Sequence, residues 1–237
     1  KRYTRKYYKR NHLQRSTMKE YLKITNEDNM ELMARYSDNH FDLAIVDPPY
    51  GINRGGQEET FTKNPKHKRK HHEQKEWDNE TPTKEYFDQL FRVSKNQIIW
   101  GGNYFVEFLN EGTMGWIFWY KGQEGLTMSD GEIAYSSFQK ATRQININRY
   151  FISRNGGSIH PTQKPVQLYK WLLTNYAKEG DKILDTHFGS GSIAIALDSV
   201  NKIEKMNLTL TACELDKEYY QTATQRIKEQ TTWNSLF

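Results

Sequence analysis

Phe41-Asp-Leu-Ala-Ile-Val-Asp-Pro-Pro-Tyr50 decides how this chain is read. The apolar run up to Val46 has the length and composition of a strand buried in a parallel sheet. Two prolines cannot extend a hydrogen-bonded ladder, so the chain leaves the sheet after Asp47 in a fixed, extended turn. Ligands of open α/β sheets bind at the carboxyl ends of the strands. The turn Asp47-Pro48-Pro49-Tyr50 thus brings a carboxylate, a proline-fixed carbonyl and an aromatic face to such a crevice. Those groups suit a flat ring bearing an exocyclic amine: Asp47 and the Pro48 carbonyl each accept one N–H, and Tyr50 stacks on the ring. The plain alternative is a strand-to-loop turn whose Asp is a cap and whose Tyr is core.

Further along, Lys182-Ile-Leu-Asp185 reads as a short strand feeding Thr186-His-Phe-Gly-Ser-Gly191 and a helix over 192–199. A second strand, 208–214, ends in Glu214. Small residues let a backbone approach a ligand closely, and an acid after the second strand accepts two ribose hydroxyls. The spacing is not G-x-G-x-x-G, and no lysine follows the glycines, so a nucleoside-like ligand fits better than a pyrophosphate. Between the two turns, His160-Pro-Thr-Gln-Lys-Pro165 opens a helix over 166–177 with Pro165 in its first turn.

The rest of the pattern alternates in the same way. Helices are expected over 30–36, with Asp28 near the start, and over 83–93, 103–109 and 217–229. Strands are expected over 97–100, 115–119 and 132–136. Residues 51–78 read as a long loop and 141–159 as a polar, turn-rich segment. His67, His71 and His72 lack the cysteine or acidic company of a metal site.

Of 237 residues, 36% are hydrophobic and 14% aromatic, enough for one sizeable core. A single cysteine, Cys213, excludes an internal disulfide framework. No apolar run approaches the ~18 residues of a spanning helix, and the expected setting is the cytoplasm, at the nucleoid, with no membrane. The net charge of +5 is uneven. Residues 1–17 carry seven Lys/Arg and no acid, and residues 63–75 carry six Lys/Arg against one Glu. Taking these +7 and +5 ribbons away leaves −7 on the remainder. Basic ribbons on an acidic body suit a phosphate backbone, with binding that weakens steeply with salt.

Taken together, the Asp47–Tyr50 tetrapeptide, the His160–Pro165 run and the Asp185–Gly191 turn resemble the S-adenosylmethionine-dependent DNA amino-methyltransferases. The order, catalytic turn before cofactor turn, is similar to the family's beta group, and the likeness covers residues 18–230. It implies an α/β, Rossmann-like methyltransferase fold, a mostly parallel twisted sheet with helices on both faces and permuted motif order. Residues 18–237 would form that domain behind a basic arm, 1–17, with a mobile basic loop over 54–80 and a short target-recognition segment over 141–159.

The resemblance also implies roles for individual residues. Asp47, Pro48, Pro49 and Tyr50 would be catalytic, holding a base flipped out of duplex DNA. Asp28 would meet the cofactor's adenine, with Asp47 also lining its site. His160, Thr162, Gln163 and Lys164 would wrap the methionine end. Asp185, Phe188, Gly189, Ser190 and Gly191 would line the pocket, and Glu214 would bind the ribose. Lys63, Lys66, Lys68, Arg69, Lys70, Arg143, Arg149 and Arg154 would contact DNA, alone or with a second subunit. S-adenosylmethionine would leave as S-adenosylhomocysteine, with no metal. In this family an acidic first residue favours adenine N6, with cytosine N4 the alternative. Rival readings are an RNA or protein-glutamine methyltransferase and an inactive nucleic-acid-binding protein of the same fold.

Overall fold

The computed structural model describes residues 19–53, 55–56, 73–109, 112–124, 129–148, 151–152 and 157–232. The basic arm 1–17 and Lys63, Lys66, Lys68, Arg69, Lys70, Arg149 and Arg154 lie outside them, as do His67, His71 and His72.

Eight strands form one sheet: β1 (Leu22–Asn26), β2 (Leu43–Val46), β3 (Gln97–Trp100), β4 (Ile117–Tyr120), β5 (Gly131–Ser136), β6 (Arg143–Asn146), β7 (Lys182–Asp185) and β8 (Thr209–Glu214). Their order is β1-β8-β7-β2-β3-β5-β4-β6. Every pairing is parallel except the two that β5 makes, with β3 and β4. The helices are α1 (Asn29–Ala34), α2 (Lys84–Val93), α3 (Val166–Tyr176), α4 (Ser192–Ile203) and α5 (Lys217–Thr232).

The period of two along β2 explains the layering. Leu43 and Ile45 join one apolar cluster with residues of α3, α4 and α5, while Ala44 and Val46 join another with residues of α1 and α2. A strand covered on both faces must be apolar throughout, and all four residues of β2 are buried. Each such Leu or Ile contributes about 1.5–3 kcal/mol by leaving water.

The connections split at the centre of the sheet. From β7 the chain crosses by α4 on one face to β8, whereas from β2 it crosses by α2 on the other face to β3. The adjacent carboxyl ends of β7 and β2 therefore flank a topological switch point, where a crevice must open.

Several expectations shift. Residues 103–109 do not form an α-helix; a 3-10 turn, Gly102–Tyr104, follows the left-handed Gly101 instead. The 141–159 segment contributes β6 to the sheet edge, because Arg143–Asn146 pairs along its whole length with β4. Residues 73–80, assigned to a mobile loop, are held in place, with a 3-10 turn over Glu76–Asp78. Lys75 Nζ there lies 2.8 Å from both Asp216 and Glu218 and over the Tyr219 ring.

Candidate active site

A cavity of about 560 Å³ opens at the switch point, within the usual range for a small-molecule site. Its lining includes Asp47 and Pro49, which follow β2, and on the other side of the switch point Asp28, which follows β1 beside β8. Phe188, Gly189 and Ser190 after β7 and Glu214 at the end of β8 complete that side, and His160, Thr162, Gln163 and Lys164 come from the segment leading into α3. The two turns that the sequence separates by about 140 residues thus share one cleft.

The cofactor-type turn is built from backbone. Glu214 Oε2 accepts from Gly189 N at 2.7 Å and Oε1 from Asp216 N at 2.9 Å. Phe188 N donates to the Cys213 carbonyl at 3.0 Å. Gly191 starts α4 in the left-handed region (φ +70°), which disfavours any side chain. Beneath it, the buried Arg226 donates to the Ser190 carbonyl at 2.7 Å and to Ser192 Oγ at 3.0 Å. Asp185 and Gly191 stand behind the lining rather than in it. Asp185 Oδ1 is taken up by His187 N at 3.0 Å, and Gly191 is walled in by Phe188 and Ile227.

Asp28 caps α1, accepting from Met30 N at 2.7 Å, while it lines the cleft. His160 is packed between the Trp77 and Tyr219 rings and bonds Thr162 Oγ1 through Nδ1 at 3.1 Å. Gln163 Oε1 accepts from Ile159 N. His187, given no role by the sequence, lines the cleft with Nε2 3.2 Å from Asn29. Burial pushes it down to about 3, so it is neutral at physiological pH.

The catalytic-type turn is wired by side chains. Tyr50 Oη donates to Asp47 Oδ1 at 2.6 Å, and Asp78 Oδ1 accepts from the Tyr50 and Gly51 amides at 2.7 and 3.1 Å. Lys164, expected at the methionine end, lines the cleft and places Nζ 2.5 Å from Asp47 Oδ2 and 3.0 Å from Glu132 Oε2. Glu132 is also 2.5 Å from Lys121 Nζ. The Tyr50 ring is not bare: Tyr104 stacks on it at 5.0 Å and 14°, and Phe105 meets it edge-on. Gly101 (φ +71°) lets the ring approach so closely that a Cβ there would lie 2.2 Å from Tyr50 Cε1.

Electrostatics separates the acids. Burial pushes Asp185 up to about 8, and burial likewise raises Glu214 and Asp47. Glu132 is held down at about 2 because Lys164 and Lys121 outweigh its burial. Burial opposes the Lys164 charge, but Asp47 and Glu132 more than restore it, so the ammonium persists. Burial and the neighbouring Asp47 keep the Tyr50 hydroxyl protonated, hence a donor.

Glu132, Lys121, Asp78 and Tyr104 carry no motif, and sequence reasoning missed them. The one available signal was an acid, Glu132, near the start of an otherwise apolar strand. Arg143 is exposed on the edge strand β6, four strands from β2, or about 19 Å at the usual strand spacing. The structure does not bring it to the cleft.

The sequence profile of the DNA methylase family matches residues 99–225, just over half of the chain. The chain belongs to the DNA methylase family. The matched stretch includes Lys164 and the cofactor-type turn and leaves the Asp47–Tyr50 turn outside. The chain is 31% identical over 71 residues to the type II methyltransferase M.HpaI of Haemophilus parainfluenzae, covering 30% of this chain and 21% of that one. It is 31% identical over 75 residues to M2.DpnII of Streptococcus pneumoniae, covering 32% and 26%. The match thus spans about a quarter or less of these relatives' length.

Among solved structures, the M1.HpyAVI–SAM complex superposes with a TM-score of 0.56 at 17% identity, covering 87% of this chain and 98% of that one. The cytosine-N4-specific PvuII DNA methyltransferase gives 0.55 at 11%, covering 90% and 92%. These likenesses show the Rossmann-like methyltransferase fold.

The cleft fits S-adenosylmethionine on its own terms. Glu27, Asp28, Asp47, Glu80 and Glu214 line it against the single cation Lys164 among the described lining residues. Such a cleft favours a cationic sulfonium over a polyphosphate.

Proposed function

We propose that this protein transfers a methyl group from S-adenosylmethionine to the exocyclic N6 amine of an adenine flipped out of duplex DNA. One observation carries the reading: Asp47 and the Gly189–Glu214 turn line the same cleft. S-adenosylmethionine supplies an electrophilic methyl on a positively charged sulfur. Phe188, Gly189, Ser190 and Glu214 hold its nucleoside end, with Asp28 toward the adenine and Glu214 accepting the ribose hydroxyls. His160, Thr162 and Gln163 border the remainder.

The lone pair of an exocyclic amine is delocalised into the ring and is a poor nucleophile. Asp47 and the Pro48 carbonyl accept its two N–H bonds, which favours a tetrahedral nitrogen and localises the pair. As the nitrogen gains the methyl it loses one proton, and Asp47 is the adjacent acceptor. Placement and electrostatics therefore do the chemistry, without a covalent enzyme intermediate. Cys213 is buried with its thiol directed at the Thr186 carbonyl, and burial raises its pKa, which does not suit a thiolate nucleophile.

Flipping a base costs a few kcal/mol, and stacking on an aromatic returns ~1–3 kcal/mol. Tyr50 is that aromatic in this reading, with the base taking a place that Tyr104 covers in the free protein. The acid at position 47 supports adenine through the family preference. The fold shared with the cytosine-N4-specific PvuII enzyme keeps cytosine N4 as the second reading.

The test is tritium transfer from labelled S-adenosylmethionine to duplex DNA, followed by mass spectrometry of the digested product. Methyladenine supports the reading, methylcytosine replaces it with the second, and no label in DNA sinks both. Asp47→Asn is the better control than Asp47→Ala, since the amide keeps an acceptor oxygen for the buried Lys164 ammonium, which alanine would leave to Glu132 alone. It should cost about 10²–10³ in kcat while S-adenosylmethionine binding persists.

A further inference from the structure

Strand β5 carries an acid into the catalytic corner that no motif announces. Glu132 sits one residue inside β5, and Lys121 follows the last residue of β4, its backbone N donating to the Asp130 carbonyl at 2.8 Å. The hairpin pairing of Tyr120 with Gly131 therefore fixes the two side chains beside each other. From there four charges alternate in space: Lys121, Glu132, Lys164 and Asp47, with successive contacts of 2.5, 3.0 and 2.5 Å. Lys121 and Lys164 are nearly inaccessible, at 9% and 2% side-chain exposure. The chain of charges is neutral overall and ends at the carboxylate that would receive the substrate.

We propose that Glu132, oriented by Lys121, is a positioning residue that divides the Lys164 ammonium between two carboxylates and so leaves Asp47 available to the substrate amine. This rests on the methyl-transfer reading above. An ammonium held by Asp47 alone would draw closer to it and compete for the lone pairs that the amine needs. Removing the Glu132 charge would also leave a net positive corner beside a nitrogen that turns positive as the methyl arrives. Both effects act on the reacting state more than on binding, so they appear in kcat rather than KM.

The groups that bear on Asp47 from its surroundings are Tyr50 on its own turn, Tyr86 on α2, Glu132 on β5, Lys164 and Tyr169 at and in α3, and Asp185 on β7. Among these, the Glu132 charge raises Asp47. The acid limb of kcat against pH reports an acid that must be ionised in the complex. Removing a negative neighbour should therefore move that limb to lower pH, and removing the positive Lys121 should move it to higher pH.

The experiment measures methyl transfer to DNA against pH for wild type, Glu132→Gln, Glu132→Asp and Lys121→Met. Expected for Glu132→Gln is a kcat lowered about 10- to 100-fold, KM values for DNA and S-adenosylmethionine nearly unchanged, and an acid limb shifted down. Lys121→Met should shift the limb up, and Glu132→Asp, which keeps the charge, should leave it in place. Should Glu132→Gln fail to fold, the direction of the Lys121→Met limb decides alone. An unchanged kcat in Glu132→Gln, or a lowered one with the limb unmoved in both variants, overturns the inference. A wild type that labels no DNA sinks the parent reading and this inference together. A wild type that labels DNA beside an unaffected Glu132→Gln sinks this inference alone.

Discussion

The two turns that meet in the cleft are held in different ways. Around Gly189 most bonds run from backbone amides to nearby carboxylates or carbonyls, and the principal acid, Glu214, ends the very next strand. Around Asp47 the contacts run mainly between the side chains of Tyr50, Lys121, Glu132 and Lys164, while the Asp78 carboxylate takes the Tyr50 and Gly51 amides. A backbone cradle suits a ligand recognised by shape and hydroxyls, since amides neither titrate nor swing. A wired corner suits chemistry, because the position of a carboxylate and its charge are both adjustable. Substitutions should accordingly separate binding from turnover according to which turn they touch.

Gly101→Ala should show the largest split. Its Cβ would overlap the Tyr50 ring, and the left-handed backbone adds about 1–2 kcal/mol of strain. Displacing Tyr50 disturbs Asp47, so methyl transfer should fall about 100-fold while calorimetry finds S-adenosylmethionine affinity within about twofold. A parallel loss of affinity would mean that the two turns are not separable.

Asp185 tests the cradle by pH. Its folded pKa, about 8, lies above the ordinary carboxyl value of 3.8, so the native state holds a proton that the unfolded chain releases. Stability from this group is then greatest below about pH 4 and declines as pH rises toward 8. Melting temperatures of ligand-free wild type, compared with Asp185→Asn across that window, should fall behind steadily as pH increases. A difference independent of pH would show that Asp185 is ionised throughout.

The smallest effect belongs to Lys75, which ties the 73–80 strap to the start of α5 beside the cleft. Its partners are partly to largely exposed, at 29% and 75%, so solvent screens both pairs. Lys75→Met should cost about 0–1 kcal/mol in stability and a few-fold in S-adenosylmethionine affinity, with kcat unchanged once saturated. A large fall in kcat would instead place the strap in the catalytic corner.

What the sequence determined by itself follows from local rules. Short apolar stretches leading into Asp47 and Asp185, prolines that must leave a ladder, and glycines preceding a helix gave both turns and the strand–helix alternation. The tertiary structure decided what lies between them. The antiparallel β5 sets Glu132 against Lys164, β6 takes Arg143 to the sheet edge, and Tyr104 covers the ring that the tetrapeptide alone would leave open. The reason is physical: backbone preferences act over a few residues and leave their mark in the chain. Charge pairing and ring stacking depend on separations in space, which here join residues 32 to 117 positions apart in sequence.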